Sequence, residues 1–269
     1  MTGLGRVPLL VPVRRRLAAL LLAVLACLAP RPAGQEASAQ EAVSQSVIQL
    51  WVMRPDWTAT GRTYRSEAAG TAFFIDPDGR ALTASHVLDQ ARLFPRTFKI
   101  IATVGSEFFS ARIICASPLP ARQGDLSVMT RDVAEVQLVP AEIQMETIGY
   151  AGIEKWRAHH GPMPRFRPLH FGAAPAVGDP VRVLGFGFLS ATVLPYEWSA
   201  IGTVGQFGQA SDGTAIFAIK FEREAEPGHS GSPVLNPVGD VVGMFTWFRP
   251  SDHAVGIAIG RAALDPACP

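Results

Sequence analysis

The chain has 269 residues, 48% of them hydrophobic and 17% charged, with 25 glycines and 22 prolines. That balance excludes a disordered chain and a multi-span membrane protein, and so many turn formers favour β structure over a helical bundle. The formal net charge of +1 is concentrated at the front: beyond residue 39 the chain carries 19 basic against 22 acidic groups, a net of −3, which offers no basic face to nucleic acid.

Residues 1–39 read as a signal peptide. Arg14, Arg15 and Arg16 precede an apolar run from Leu17 to Ala29, too short to cross a bilayer, and Ala37-Ser38-Ala39 forms a small-residue cleavage site before Gln40. The arginines fit a twin-arginine signal poorly, and Leu25-Ala26 ahead of Cys27 only partly fits a lipid-attachment site. The expectation is an exported protein, periplasmic or secreted, with no integral membrane span after cleavage. Cys115 and Cys268 then remain, either as a disulfide or as two thiols.

From Val43 onward, short apolar runs alternate with turns. Val47 to Met53 reads as a strand. Gly70 to Ile75 and Ala81 to Thr83 form a hairpin around Asp76-Pro77-Asp78-Gly79, where Pro77 presets φ and Gly79 accepts a positive one. Phe98 to Val104 and Phe108 to Ile114 flank Gly105, and Leu126 to Met129 follows Gly124-Asp125. Residues 138–173, with four prolines and His159, His160 and His170, read as a linker anchored by Trp156 and Phe166. Strands resume at Pro180 to Phe186, Trp198 to Val204, Ala215 to Phe221, Pro233 to Leu235, Val241 to Phe245 and Ala254 to Ile259, with a terminal turn near residues 261–264. No long 3.6-residue periodicity occurs after residue 40, so the pattern predicts an all-β barrel or sandwich pair.

Three local sequences carry chemistry. Thr83-Ala84-Ser85-His86-Val87 follows the hairpin, Gly124-Asp125-Leu126 comes 39 residues later, and Pro227-Gly228-His229-Ser230-Gly231-Ser232-Pro233 a further 105. A serine hydroxyl needs a base to take its proton as it attacks, and an imidazole can accept and return that proton near neutral pH. A carboxylate fixes the imidazole tautomer, and a glycine-rich loop can aim two backbone N–H groups at the oxyanion. The candidates are therefore His86, Asp125 and Ser230, with the Gly228 and Ser230 amides as oxyanion hole.

The motifs resemble the trypsin-like serine proteases, in particular the bacterial branch of HtrA-type and glutamyl endopeptidases. Residues 70–87 resemble its catalytic-histidine hairpin, 228–233 its nucleophile loop and 241–244 its cleft strand. Gly178-Asp179-Pro180-Val181 and Gly202-Thr203-Val204 resemble the opening of its second barrel. The resemblance implies a chymotrypsin-like fold of two six-stranded antiparallel β-barrels with the site between them. Its parts are an N-terminal barrel over 40–137, a linker over 138–173 and a C-terminal barrel over 174–269, with no PDZ module. It also implies a serine endopeptidase acting on exported polypeptides through an acyl-enzyme, without cofactor. The alternative is a catalytically silent module of the same fold that binds peptides or proteins.

Position 229 is usually Asp or Asn in that branch; His229 here argues against activation through an acid paired with a new N-terminus, and an exposed loop side chain is the reading adopted for it. Glu224, Phe245, Thr246 and Trp247 are the expected substrate-cleft residues, with Glu226 beside them. Phe245 stands where glutamyl endopeptidases have a cleft histidine, which favours a small or apolar residue at the cleaved bond. His159, His160 and His170 match no zinc spacing and read as solvated loop histidines, with no metal site expected.

Overall fold

The computed structural model describes residues 43, 45–58, 61–118, 131–142, 157–187, 196–222, 227–249 and 252–264. The first apolar runs become β1 (Val47–Thr58), β2 (Gly61–Phe74) and β3 (Arg80–Thr83), each antiparallel to the one before. The turn between β2 and β3 falls where the sequence places it: the Ile75 amide donates to the Arg80 carbonyl at 2.9 Å, and Gly79 has φ +96°. β4 (Lys99–Val104), β5 (Glu107–Ala116) and β6 (Ala134–Val139) complete the set. The strand order β4-β1-β2-β3-β6-β5 closes through β4–β5 pairing, giving one six-stranded antiparallel barrel, and the two-residue β7 (Arg157–Ala158) adds to β5 in parallel.

The second barrel is closed in the order β10-β13-β12-β11-β8-β9. Its strands are β8 (Pro180–Gly187), β9 (Tyr196–Gln209), β10 (Ala215–Phe221), β11 (Pro233–Leu235), β12 (Val241–Arg249) and β13 (Asp252–Gly260). β10 and β11 have the bounds read from sequence, whereas β9 and β12 run longer. β12 outlasts its apolar run because its pairing with β13 continues through a register shift between Phe245 and Trp247, which leaves Thr246 as the extra residue of a bulge. The expected strand at 126–129 and the anchor Trp156 lie outside the described residues.

One short helical stretch was not expected. A 3-10 turn (Ser85–Leu88) runs into α1 (Asp89–Leu93), five residues long and thus too short to display a helical period. The linker anchor Phe166 does pack down. Its ring stacks on Phe74 with centroids 4.3 Å apart and meets Phe109 edge-on at 5.6 Å. One continuous core joins Val47, Leu50, Phe73 and Leu82 of the first barrel to Leu184, Leu235, Met244 and Ile259 of the second. A second core within the second barrel is built around Trp198, Phe217, Phe221 and Phe245.

Candidate active site

β3 and β6 deliver the first two functional groups. Thr83 pairs with Ala134 across these strands, so the residues just after β3 and just before β6 emerge at the same end of the barrel. The His86 backbone N–H donates to Asp132 Oδ1 at 2.9 Å, and His86 Nδ1 lies 2.6 Å from Asp132 Oδ2. One carboxylate thus fixes the residue's backbone and its ring together. The aspartate expected in this place, Asp125, lies outside the described residues, and the carboxylate on His86 is Asp132. The signal for it was in the sequence: Asp132 directly precedes Val133, Ala134, Val136 and Leu138, all buried in the first-barrel core. The Gly124-Asp125 turn is the more conspicuous local motif and points to Asp125.

Burial of the imidazole acts to lower its pKa, but the charge of Asp132 and its hydrogen bond outweigh that, with Asp89 adding a smaller pull, so His86 titrates above its ordinary 6.5. Burial pushes the neighbouring Asp89 carboxyl upward against the opposing pull of Arg92 and His86.

The nucleophile loop is stitched to both barrels. The Thr71 amide of β2 donates to the Ser230 carbonyl at 2.8 Å, and Thr71 Oγ1 donates to the Gly228 carbonyl at 3.0 Å. From the other side, the Gly231 amide donates to the Phe245 carbonyl and the Phe245 amide to the Ser232 carbonyl, both at 2.8 Å. Gly228 and Gly231 have φ of +99° and +88°. A side chain on Gly231 would run into the Thr71 carbonyl and the start of the His86 turn at Ala84. These contacts hold Ser230 beside the His86 segment. Its hydroxyl donates to the Thr246 carbonyl at 3.0 Å, the carbonyl that belongs to the β12 bulge. The Trp247 ring lies over His86, centroids 6.3 Å apart at 18°.

Other expected residues are placed differently. His229 is fully buried, its ring stacked on Trp198 with centroids 3.6 Å apart; a loop side chain has become a support beneath the nucleophile turn. Phe245 faces inward against Phe221, centroids 5.7 Å apart, so its backbone serves the loop while its ring belongs to the core. Thr246 is buried too, and Trp247 is the expected cleft side chain that reaches the site. Glu224 and Glu226 lie outside the described residues. His159 is no solvated loop histidine: it stacks on Phe109 at 4.7 Å, with Nδ1 3.2 Å from Glu107 Oε2 and Nε2 2.9 Å from the Pro162 carbonyl. Cys115 is disulfide-bonded; the chain's other cysteines, Cys27 and Cys268, lie outside the described residues.

Comparison with known proteins agrees with this architecture. HhoB of Synechocystis sp. (strain PCC 6803), which carries a serine-protease name, is 28% identical over 195 residues, 72% of this chain. The match spans 38% of that relative's length. Among solved structures, the active form of the Rv3671c protease of M. tuberculosis superposes with a TM-score of 0.55 at 20% identity, over 88% of this chain and 85% of that one. Deg5 superposes with a TM-score of 0.59 at 14% identity, over 88% and 94%. At such identities the structures share the fold. The model of the trypsin-like peptidase domain matches residues 70–244, from the Thr71 strand through the Ser230 loop into β12, and the chain belongs to that family.

Proposed function

We propose that this chain is a serine endopeptidase with Ser230 as nucleophile, His86 as general base and acid, and Asp132 as the carboxylate that orients it. The observation that carries the reading is the double hydrogen bond from His86 to Asp132. It leaves Nδ1 protonated and Nε2 free to take a proton. In turnover the Ser230 hydroxyl leaves the Thr246 carbonyl and turns to Nε2. Oγ attacks the scissile carbonyl carbon as its proton passes to His86, and the oxyanion takes the amides of Gly228 and Ser230. His86 then protonates the departing amine, leaving an acyl-enzyme. Water repeats the sequence: His86 takes its proton, the hydroxyl adds to the acyl carbon, and Ser230 leaves with the proton returned.

The substrate class follows from family membership and from β12. Its ladder to β11 ends at Met244, and among the described residues no strand pairs with that edge at Thr246 and Trp247. An extended polypeptide can add there as a further strand. Two features support an exported protein, the signal-like residues 1–39 and the disulfide at Cys115, a bond typical of oxidising compartments. Among the described residues no helix is long and apolar enough to cross a membrane. The second reading, a silent peptide-binding module, takes its support from the Ser230 hydroxyl being bonded to Thr246 rather than to His86. A fluorophosphonate probe separates the two. The expected result is labelling of the mature protein and none of Ser230→Ala; a folded parent that stays unlabelled favours the binder.

A further inference from the structure

Behind the His86–Asp132 pair runs a second set of hydrogen bonds that the proposed chemistry does not use. Arg92 Nη1 of α1 donates to Ser85 Oγ at 2.7 Å. Ser85 Oγ donates to the Ser117 carbonyl at 3.3 Å. Ser117 Oγ donates to the Val133 carbonyl at 3.0 Å and accepts from the Val133 amide at 3.1 Å, while the Ser117 amide reaches the same carbonyl at 2.8 Å. The guanidinium and the Ser85 hydroxyl donate in turn toward Ser117, while Ser117 and Val133 donate to each other, so the contact at Val133 is reciprocal. Arg92 is itself held 3.5 Å from Asp89 Oδ1, and the Asp89 amide caps the His86 carbonyl.

The residues joined are the direct neighbours of the pair. Ser85 precedes His86 and Val133 follows Asp132, so the bridge through Ser117 runs beside the carboxylate–imidazole contact and spans the same two segments. Ser85 and Ser117 are both buried, where a hydroxyl without a purpose is costly. We infer that Ser85 and Ser117 are positioning residues, with Arg92 orienting Ser85, and that this bridge sets the separation between His86 and Asp132. The inference rests on the reading of that pair as base and orienting carboxylate. The bridge continues the contact of three neighbouring strands past their last ladder pairs: β5 ends just before Ser117, β6 begins just after Val133, and the His86 turn leaves β3.

The test reads His86 directly, by NMR titration of its imidazole in the mature protein, together with steady-state kinetics on a peptide substrate. In Ser117→Ala the expected His86 pKa falls by roughly half a unit, because a looser Asp132 supports the imidazolium less. The kcat falls about tenfold with KM changed less than about twofold, a smaller loss than a full 1 Å misplacement brings. Ser85→Ala moves both quantities in the same direction by less, and it carries the test alone where Ser117→Ala does not fold. Val183→Ala, in the core of the second barrel, gives a comparable loss of stability and leaves the His86 titration where it is. Parental titration and kcat in the folded serine variants overturn the inference, as does an equal shift in Val183→Ala. A parent that fails to turn over while its His86 still responds to Ser117→Ala ends the peptidase reading and leaves the positioning role standing.

Discussion

The behaviour of His86 with pH follows from the two opposing influences on it. Burial favours the neutral ring, and Asp132 more than reverses that preference, so the folded-state pKa lies above the unfolded value near 6.5. For a group raised in this way, the stabilising contribution is complete below the unfolded pKa and disappears as pH rises through the folded one. General-base catalysis needs the neutral imidazole, so kcat/KM rises across that same interval. Activity is gained over the pH range in which the ion pair's contribution to folding is lost. Asp132→Asn removes the charge and the tautomer control together. The expected kcat falls on the order of 10⁴-fold, and the acid limb of kcat/KM moves to lower pH. Asp125→Asn leaves both within about twofold of the parent on this assignment. A pH–rate profile of the two variants decides between the aspartates; a normal profile for Asp132→Asn removes Asp132 from the site. The sequence names His86 and Ser230 through their glycine- and strand-bounded motifs. It carries Asp132 only as the residue in front of an apolar alternation, and nothing in the His229 motif reveals a ring lying on Trp198, 31 residues earlier in the chain.

Among the elements, the hairpin of β2 and β3 and the bounds of β10 and β11 are legible because turn chemistry and apolar runs are local properties. The lengths of β9 and β12 depend on a partner strand, and α1, at five residues, is shorter than two turns and so shows no repeat of the pattern that announces helices. The nucleophile loop shows how local and non-local demands meet. Its glycines are visible in the sequence, but their necessity comes from the first barrel, since Gly231 has φ +88° and lies against the Thr71 carbonyl. Gly231→Ala meets both a left-handed backbone penalty and a backbone collision. The expected loss is about 2 kcal/mol or more in urea unfolding, with fluorophosphonate labelling reduced in protein that remains folded. Wild-type stability and labelling in this variant would mean that the loop is not docked against Thr71.

For the molecule as a whole, the division into two barrels is clear in topology and only partial in the packing. The largest core contains residues of both, and contacts group Gln40–Pro269 as one compact unit. The linker reinforces the union rather than merely spanning it. Phe166 fills a position against Phe74 and Phe109, and the Leu169 amide bonds to the Phe74 carbonyl. A few residues on, the Gly172 amide bonds to the Val241 carbonyl and the Val241 amide to that of His170, so one strap is tied to both barrels. The proposed catalytic pair on one barrel and the proposed nucleophile on the other need such a connection if their separation is to persist. The two barrels should therefore unfold together. Variants retaining only Trp51, buried in the first barrel, or only Trp198, buried in the second, should give coincident urea midpoints. Phe166→Ala should lower both midpoints in parallel, corresponding to a stability loss of about 3 kcal/mol for a large aromatic removed from a packed site. A transition in which Trp198 reports unfolding while Trp51 remains native would instead make the barrels separate cooperative units, with the site broken before either one is lost.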